Sequence, residues 1–118
     1  MTEYLLLFRN ASAENGYIST SQDMAEDMPK WQAWIGNIAM QGKLIHTAPM
    51  RYDAAIVDNN GVHEGQPHKE ANTVLVSGFL LCKSDSAEEV QEWSKTCPIL
   101  KNPKSSVEIR PLVPFPTN

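Results

Sequence analysis

Residues 72–84 read NTVLVSGFLLCKS, and this one stretch decides the fold. It has the length and the β-branched and aromatic content of a long strand, but its apolar residues do not alternate with polar ones. By strand alternation Val74, Val76, Leu80 and Cys82 point one way, and Leu75, Phe79 and Leu81 point the other. Both faces of this strand therefore require cover, as they do at the centre of a sheet.

Immediately before it stands GQPHKEA, residues 65–71, a polar segment with three titratable side chains in a row. In an extended segment His68 and Glu70 share a side while Lys69 points away. His68 titrates near neutral pH, so with Glu70 to orient it the pair has the chemistry of a proton carrier. The alternative is a solvated turn that fixes the entry of the strand.

Downstream, Ser86-Ala87-Glu88-Glu89 is a capping-box sequence, with Ser86 as N-cap and Glu89 as its reciprocal partner. Ala87, Val90, Trp93 and Cys97 form the apolar stripe of that helix, and Pro98 ends it. The final strand is SSVEIRPLV, residues 105–113. The prolines of PFPTN, residues 114–118, keep the tail out of an inner sheet position.

Upstream, EYLLLF (residues 3–8) reads as a buried first strand, and the turn formers Asn10, Asn15 and Gly16 open a long loop after it. Met28, Trp31, Ile35 and Ile38 recur at helical spacing. With Pro29 suited to a first helical position, the main helix is expected over 29–41, preceded by a turn from Ser21 and ended by Gly42. KLIHTA (residues 43–48) is a short extended segment, and Asp58-Asn59-Asn60-Gly61 is a tight turn joining YDAAIV to VHEG.

The order strand, helix, strands, helix, strand predicts a single α+β domain over 1–118, a ferredoxin-like split βαβ with an antiparallel sheet. Two helices cover one face of such a sheet only. The second apolar face predicts a homodimer.

Composition narrows the function. At 118 residues with a net charge of −4, the chain lacks the clustered basic residues that nucleic acid requires. It has no apolar run long enough to span a bilayer and no signal-peptide pattern at its start, so a cytoplasmic location is expected, with neither nucleic acid nor membrane as a partner. Cys82, Cys97, His46, His63 and His68 form no zinc-binding spacing, and neither metal nor cofactor is expected. Cys97 reads as a small buried hydrophobe at a helix C-terminus, where the dipole disfavours a thiolate.

Four further residues are candidates for ligand binding. Trp31 and Trp34 lie close together on the first helix, placed to wall an apolar pocket or to pack in the core. His46 follows the first helix on an extended segment and faces either a helix–sheet cavity or the surface. Arg110, with Arg9, offers an anion contact or, beside Glu108, a surface ion pair.

Taken together, four segments resemble the YCII-related, or DGPF-domain, proteins over nearly the whole chain. WQAWIGNIAMQGKL (residues 31–44) is similar to that family's first helix and its exit, and GQPHKEANTVLVSGF (residues 65–79) to its name-giving segment. SAEEVQEWSKTCPIL (residues 86–100) resembles its second helix, and SSVEIRPL (residues 105–112) its last strand. The resemblance implies a dimeric α/β barrel, two sheets packed face to face, with a small-molecule cavity between each sheet and its helices.

The sequence departs from that pattern in two places. The name-giving motif reads Gly65-Gln66-Pro67-His68. Hydrolase-like relatives are associated with a histidine early in the first helix and an aspartate before the closing proline. Here those regions hold Trp31 and Trp34, and Cys97, so that dyad does not carry over.

Three functions fit these residues. One is an acid–base enzyme on a small organic molecule, with His68 and Glu70 as proton carriers in a cavity walled by Trp31 and Trp34. The second is a non-catalytic ligand-binding or accessory dimer. The third is a structural partner that recruits another protein to its sheet face.

Overall fold

The computed structural model of the chain describes residues 1–11, 21–51, 53–65 and 74–115. In chain order these form β1 (Thr2–Ala11), α1 (Ser21–Met40), β2 (Leu44–Pro49), β3 (Ala54–Asp58), β4 (Gly61–Gly65), β5 (Val74–Ser84), α2 (Ala87–Ser94), a 3-10 turn (Pro98–Lys101) and β6 (Ser106–Pro111). Strands β2, β5, β1 and β6 make one sheet in that spatial order, every neighbouring pair antiparallel. With β3 and β4 set aside as a separate hairpin, this is the ferredoxin-like arrangement, in which the third strand slots between the first two.

Both helices lie on one face. Tyr4, Leu6 and Phe8 of β1 and Leu80 and Cys82 of β5 are buried there against Trp34 and Ile38 of α1 and Val90 of α2. The molecule measures 44 × 40 × 19 Å, and the thin dimension is that of one sheet and one helix layer. The other sheet face carries Leu5, Leu7, Phe79 and Leu81, all half-buried.

Helix α1 begins at Ser21, eight residues before the expected start at Pro29, which lies inside it. A proline removes one N–H and crowds the preceding turn, and here the helix runs through that local cost. Its exit is as expected. Gly42, at φ 71°, donates to Ala39 O at 2.9 Å and Lys43 to Ile38 O at 3.3 Å, the paired bonds of a Schellman ending.

Strand β5 departs from simple alternation. Gly78 pairs with Phe8 but Val76 pairs with Arg9, so Ser77 is an extra residue in a bulge. One inserted residue exchanges the two faces beyond it. Leu75 is thereby buried on the helix side, at 5% exposure, while Val76 joins the open side at 37%. Alternation alone had assigned them the other way round.

The capping box at α2 forms in half. Ser86 Oγ accepts the Glu89 N–H at 3.2 Å, but the Glu89 carboxylate does not return to Ser86. Lys43 Nζ donates to its two oxygens at 2.7 and 2.8 Å, and buried Ser84 donates at 2.6 Å. The Ser86 N–H goes to Ser84 Oγ at 3.2 Å instead. A charged partner outcompetes a backbone amide for a carboxylate. Glu89 thus ties α2 to the exit of α1 rather than closing its own cap.

The β3–β4 hairpin turns through Asn59-Asn60, with Asp58 paired to Gly61 at φ 115°, as expected from the sequence. Every residue of both strands is exposed.

Candidate functional site

Between α1, the 3-10 turn and the ends of β1, β2 and β5 lies a cavity of about 310 Å³, within the range of small-molecule sites, which begins near roughly 300 Å³. Its deep wall is aromatic. Phe8 meets Trp31 edge-to-face with ring centres 5.0 Å apart, and both contact Trp34 at 5.9 Å. Met28, Ile35, Pro98 and Ile99 extend the apolar lining. Gly78 forms part of the floor, and a Cβ there would stand 3.0 Å from Ala48 O. The missing side chain lets β2 approach β5 closely beside the cavity.

Polar groups gather at one end. Asp27 of α1 and Lys101 of the 3-10 turn form a salt bridge at 2.6 Å across the rim. Next to them Asn10 Oδ1 accepts from Ser105 Oγ at 2.8 Å and from Asn102 Nδ2 at 3.2 Å.

The residues singled out by sequence are dispersed. Trp31 lines the cavity. Trp34 lies behind it in the core, 7% exposed, its indole donating to Trp93 O at 2.9 Å. His46 is on the opposite face of the sheet. A second irregularity, between Leu44 and His46, sends Leu44 toward the core and sets His46 beside Phe79, with ring centres 5.5 Å apart. Arg110 is on that open face too. Its Nη1 donates to Glu108 at 3.2 Å, and Arg9 lies 3.6 Å from the same carboxylate. Neither His46 nor Arg110 faces the cavity, because each alternates to the side of the sheet that carries no helix. His68 and Glu70 lie outside the described residues, as do residues 12–20 of the long loop expected over 9–22. The two ends of that loop instead belong to β1, which runs through Ala11, and to α1, which starts at Ser21.

Asn10, Asp27, Lys101 and Ser105 escaped sequence reasoning. They come from three separate segments that only the fold joins, and no spacing in the sequence links them.

The two thiols are buried. Burial pushes Cys82 up to about 11, with the Glu89 charge adding to the effect, and burial likewise pushes Cys97 up to about 11. Both are neutral thiols at physiological pH, which removes them as nucleophiles. No cluster of metal-ligating side chains occurs among the described residues, and none of the helices described is long and apolar enough to cross a membrane.

Comparison with known proteins finds no matching family model and no matching curated protein. Among solved structures the chain is similar to 5-chloro-2-hydroxyhydroquinone dehydrochlorinase (TftG) from Burkholderia phenoliruptrix AC1100, solved in complex with 2,5-dihydroxybenzoquinone. The two are 13% identical, with a TM-score of 0.53 over 92% of this chain and 90% of that one. The likeness is one of fold.

Proposed function

We propose that this chain is a YCII-related domain that binds a small, mostly apolar organic molecule between its sheet and α1, and that it works as a homodimer through its open sheet face. The observation that carries the reading is the cavity itself: an aromatic wall of Phe8 and Trp31 facing a short polar rim. A neighbour of the same fold that acts on a small ring compound supports it. Paired Leu5, Leu7, Phe79 and Leu81 support the dimer, since a second copy offers the same apolar stripe in return.

The enzymatic form of this reading makes His68 and Glu70 the proton carriers, entering from the segment that leads into β5. The accessory form is favoured by a separate observation. Among the described residues the cavity lining contains no histidine or cysteine, and its charged pair, Asp27 and Lys101, is joined in a salt bridge.

Proton NMR titration of the three histidines separates the two forms. A His68 value displaced from about 6.5, and moved by Glu70→Gln, is the enzymatic result; three ordinary titrations leave a binding protein. The cavity is tested by adding indane to ¹⁵N-labelled protein. Shifts of the Trp31 indole and the Ile35 amide are expected. Saturating indane that moves neither overturns the binding site.

A further inference from the structure

The hydrogen bonds at the polar end of the cavity form a chain with a fixed direction. It starts at a group whose role is not in question, the backbone N–H of Lys104, which donates to Asn102 Oδ1 at 3.0 Å. That bond assigns oxygen and nitrogen in the Asn102 amide, so Nδ2 is the atom it turns toward Asn10. The atom of Asn10 that receives it must be Oδ1. The same oxygen accepts the Ser105 hydroxyl at 2.8 Å, which uses its second lone pair.

Asn10 is thereby held with its acceptor filled, and its Nδ2 amino group has no protein acceptor among the described residues. The side chain is part of the cavity wall, on the helix side of β1, one alternation step beyond Phe8. Two oriented N–H donors beside an apolar cavity constitute a recognition element. A ligand that covers them without offering an acceptor forfeits the hydrogen bond they otherwise make to water.

We infer that Asn10 reads the ligand of this cavity, donating from Nδ2 to an acceptor oxygen, carbonyl or phenolic, on an otherwise apolar molecule packed against Trp31. This rests on the cavity being the ligand site proposed above, and it adds the chemical class: an oxygenated ring compound rather than a hydrocarbon or a cation. An ammonium or other pure donor would meet a donor and be rejected.

The test uses two probes of nearly equal shape, 1-indanone, whose ketone can only accept, and indane, which has no oxygen. Both are titrated into ¹⁵N-labelled protein, with the Trp31 indole and the Asn10 side-chain amide followed by NMR. Indanone is expected to bind about fivefold more tightly than indane, the ratio given by one net hydrogen bond of roughly 1 kcal/mol. It should also shift the Asn10 amide protons, which indane leaves in place.

The decisive variant is Asn10→Asp. It keeps an oxygen for Ser105 and Asn102 and replaces the donor with a second acceptor. Indane affinity should stay within about twofold while the advantage of indanone disappears. An advantage that survives in Asn10→Asp, or an Asn10 amide that does not move in the wild-type titration, overturns the assignment while the cavity stands. If neither probe shifts Trp31, the binding site fails and the role of Asn10 fails with it.

Discussion

Leu6 and Leu7 are adjacent residues of the same type on the same strand, and they belong to different worlds. Leu6 faces the helices and is wholly buried, whereas Leu7 faces the open side and keeps part of its surface in water. Their β5 neighbours repeat the contrast: Leu80, across from Leu6, is fully buried, and Phe79, across from Leu7, is half-buried. The two faces of the sheet are alike in composition and differ in cover. On the helix side, packing within one chain supplies stability and shapes the cavity. On the open side, the same kind of apolar surface carries no helix among the described residues, and it is flanked by His46 at one edge and the Arg9–Glu108–Arg110 cluster at the other.

Substitutions that cut each face separately test that difference. The largest effect is expected for Leu80→Ala, which removes a fully buried side chain from the helix side and should cost about 2–5 kcal/mol of folding stability in urea denaturation. If Phe79→Ala costs as much in the isolated chain, the two faces are energetically equivalent and the contrast is wrong. Next is Gly78→Ala. Its new Cβ meets Ala48 O at 3.0 Å and Pro49 Cα at 3.3 Å, which should cost roughly 1–3 kcal/mol by overpacking and push β2 away from the cavity. Unchanged stability would show that β2 yields freely there.

Phe79→Asp acts mainly on association. Sedimentation at micromolar concentration should show the wild-type chain as a dimer and the variant as a 13.2 kDa monomer with its fold intact. A wild-type protein that sediments as a monomer removes the open face as a self-association surface.

The smallest effect concerns the link between α2 and the α1 exit. The hydrogen bond from Lys43, reinforced by Ser84, holds the Glu89 carboxyl below its ordinary value of 4.5. A carboxyl lowered on folding contributes stability that is present above its unfolded value and lost as pH falls through the folded one. The wild-type protein should therefore lose stability as pH drops below about 4.5 more steeply than Glu89→Gln. Parallel curves for the two proteins would remove Glu89 as a pH-dependent tie.

Much of this architecture was legible along the chain. The exit of α1 at Gly42, the Asn59-Asn60 turn and the strand–helix order follow from local preferences that a few neighbouring residues express. Other features depended on competition between distant groups. Ser86 was readable as a cap, but Glu89 was not readable as the partner of Lys43, because the rival for its carboxylate arrives from the end of another helix. The bulge at Ser77 similarly reversed Leu75 and Val76, since one extra residue in a strand changes every face beyond it.

The site divides along the same line. Helical spacing put Trp31 and Trp34 together as pocket or core residues, and only packing sent Trp31 to the cavity and Trp34 to the core. His46 and Arg110 fell on the far side of the sheet for reasons of register. Sequence by itself determined which segments become strands and helices, and that one strand carries more apolar surface than two helices can shelter. Only the tertiary structure decided which groups meet: Asn10, Asp27 and Ser105 share a cavity wall because the sheet and its helices bring three remote segments together. Local pattern reports what each residue prefers; contact between segments distant in sequence depends on register and packing, which no single segment encodes.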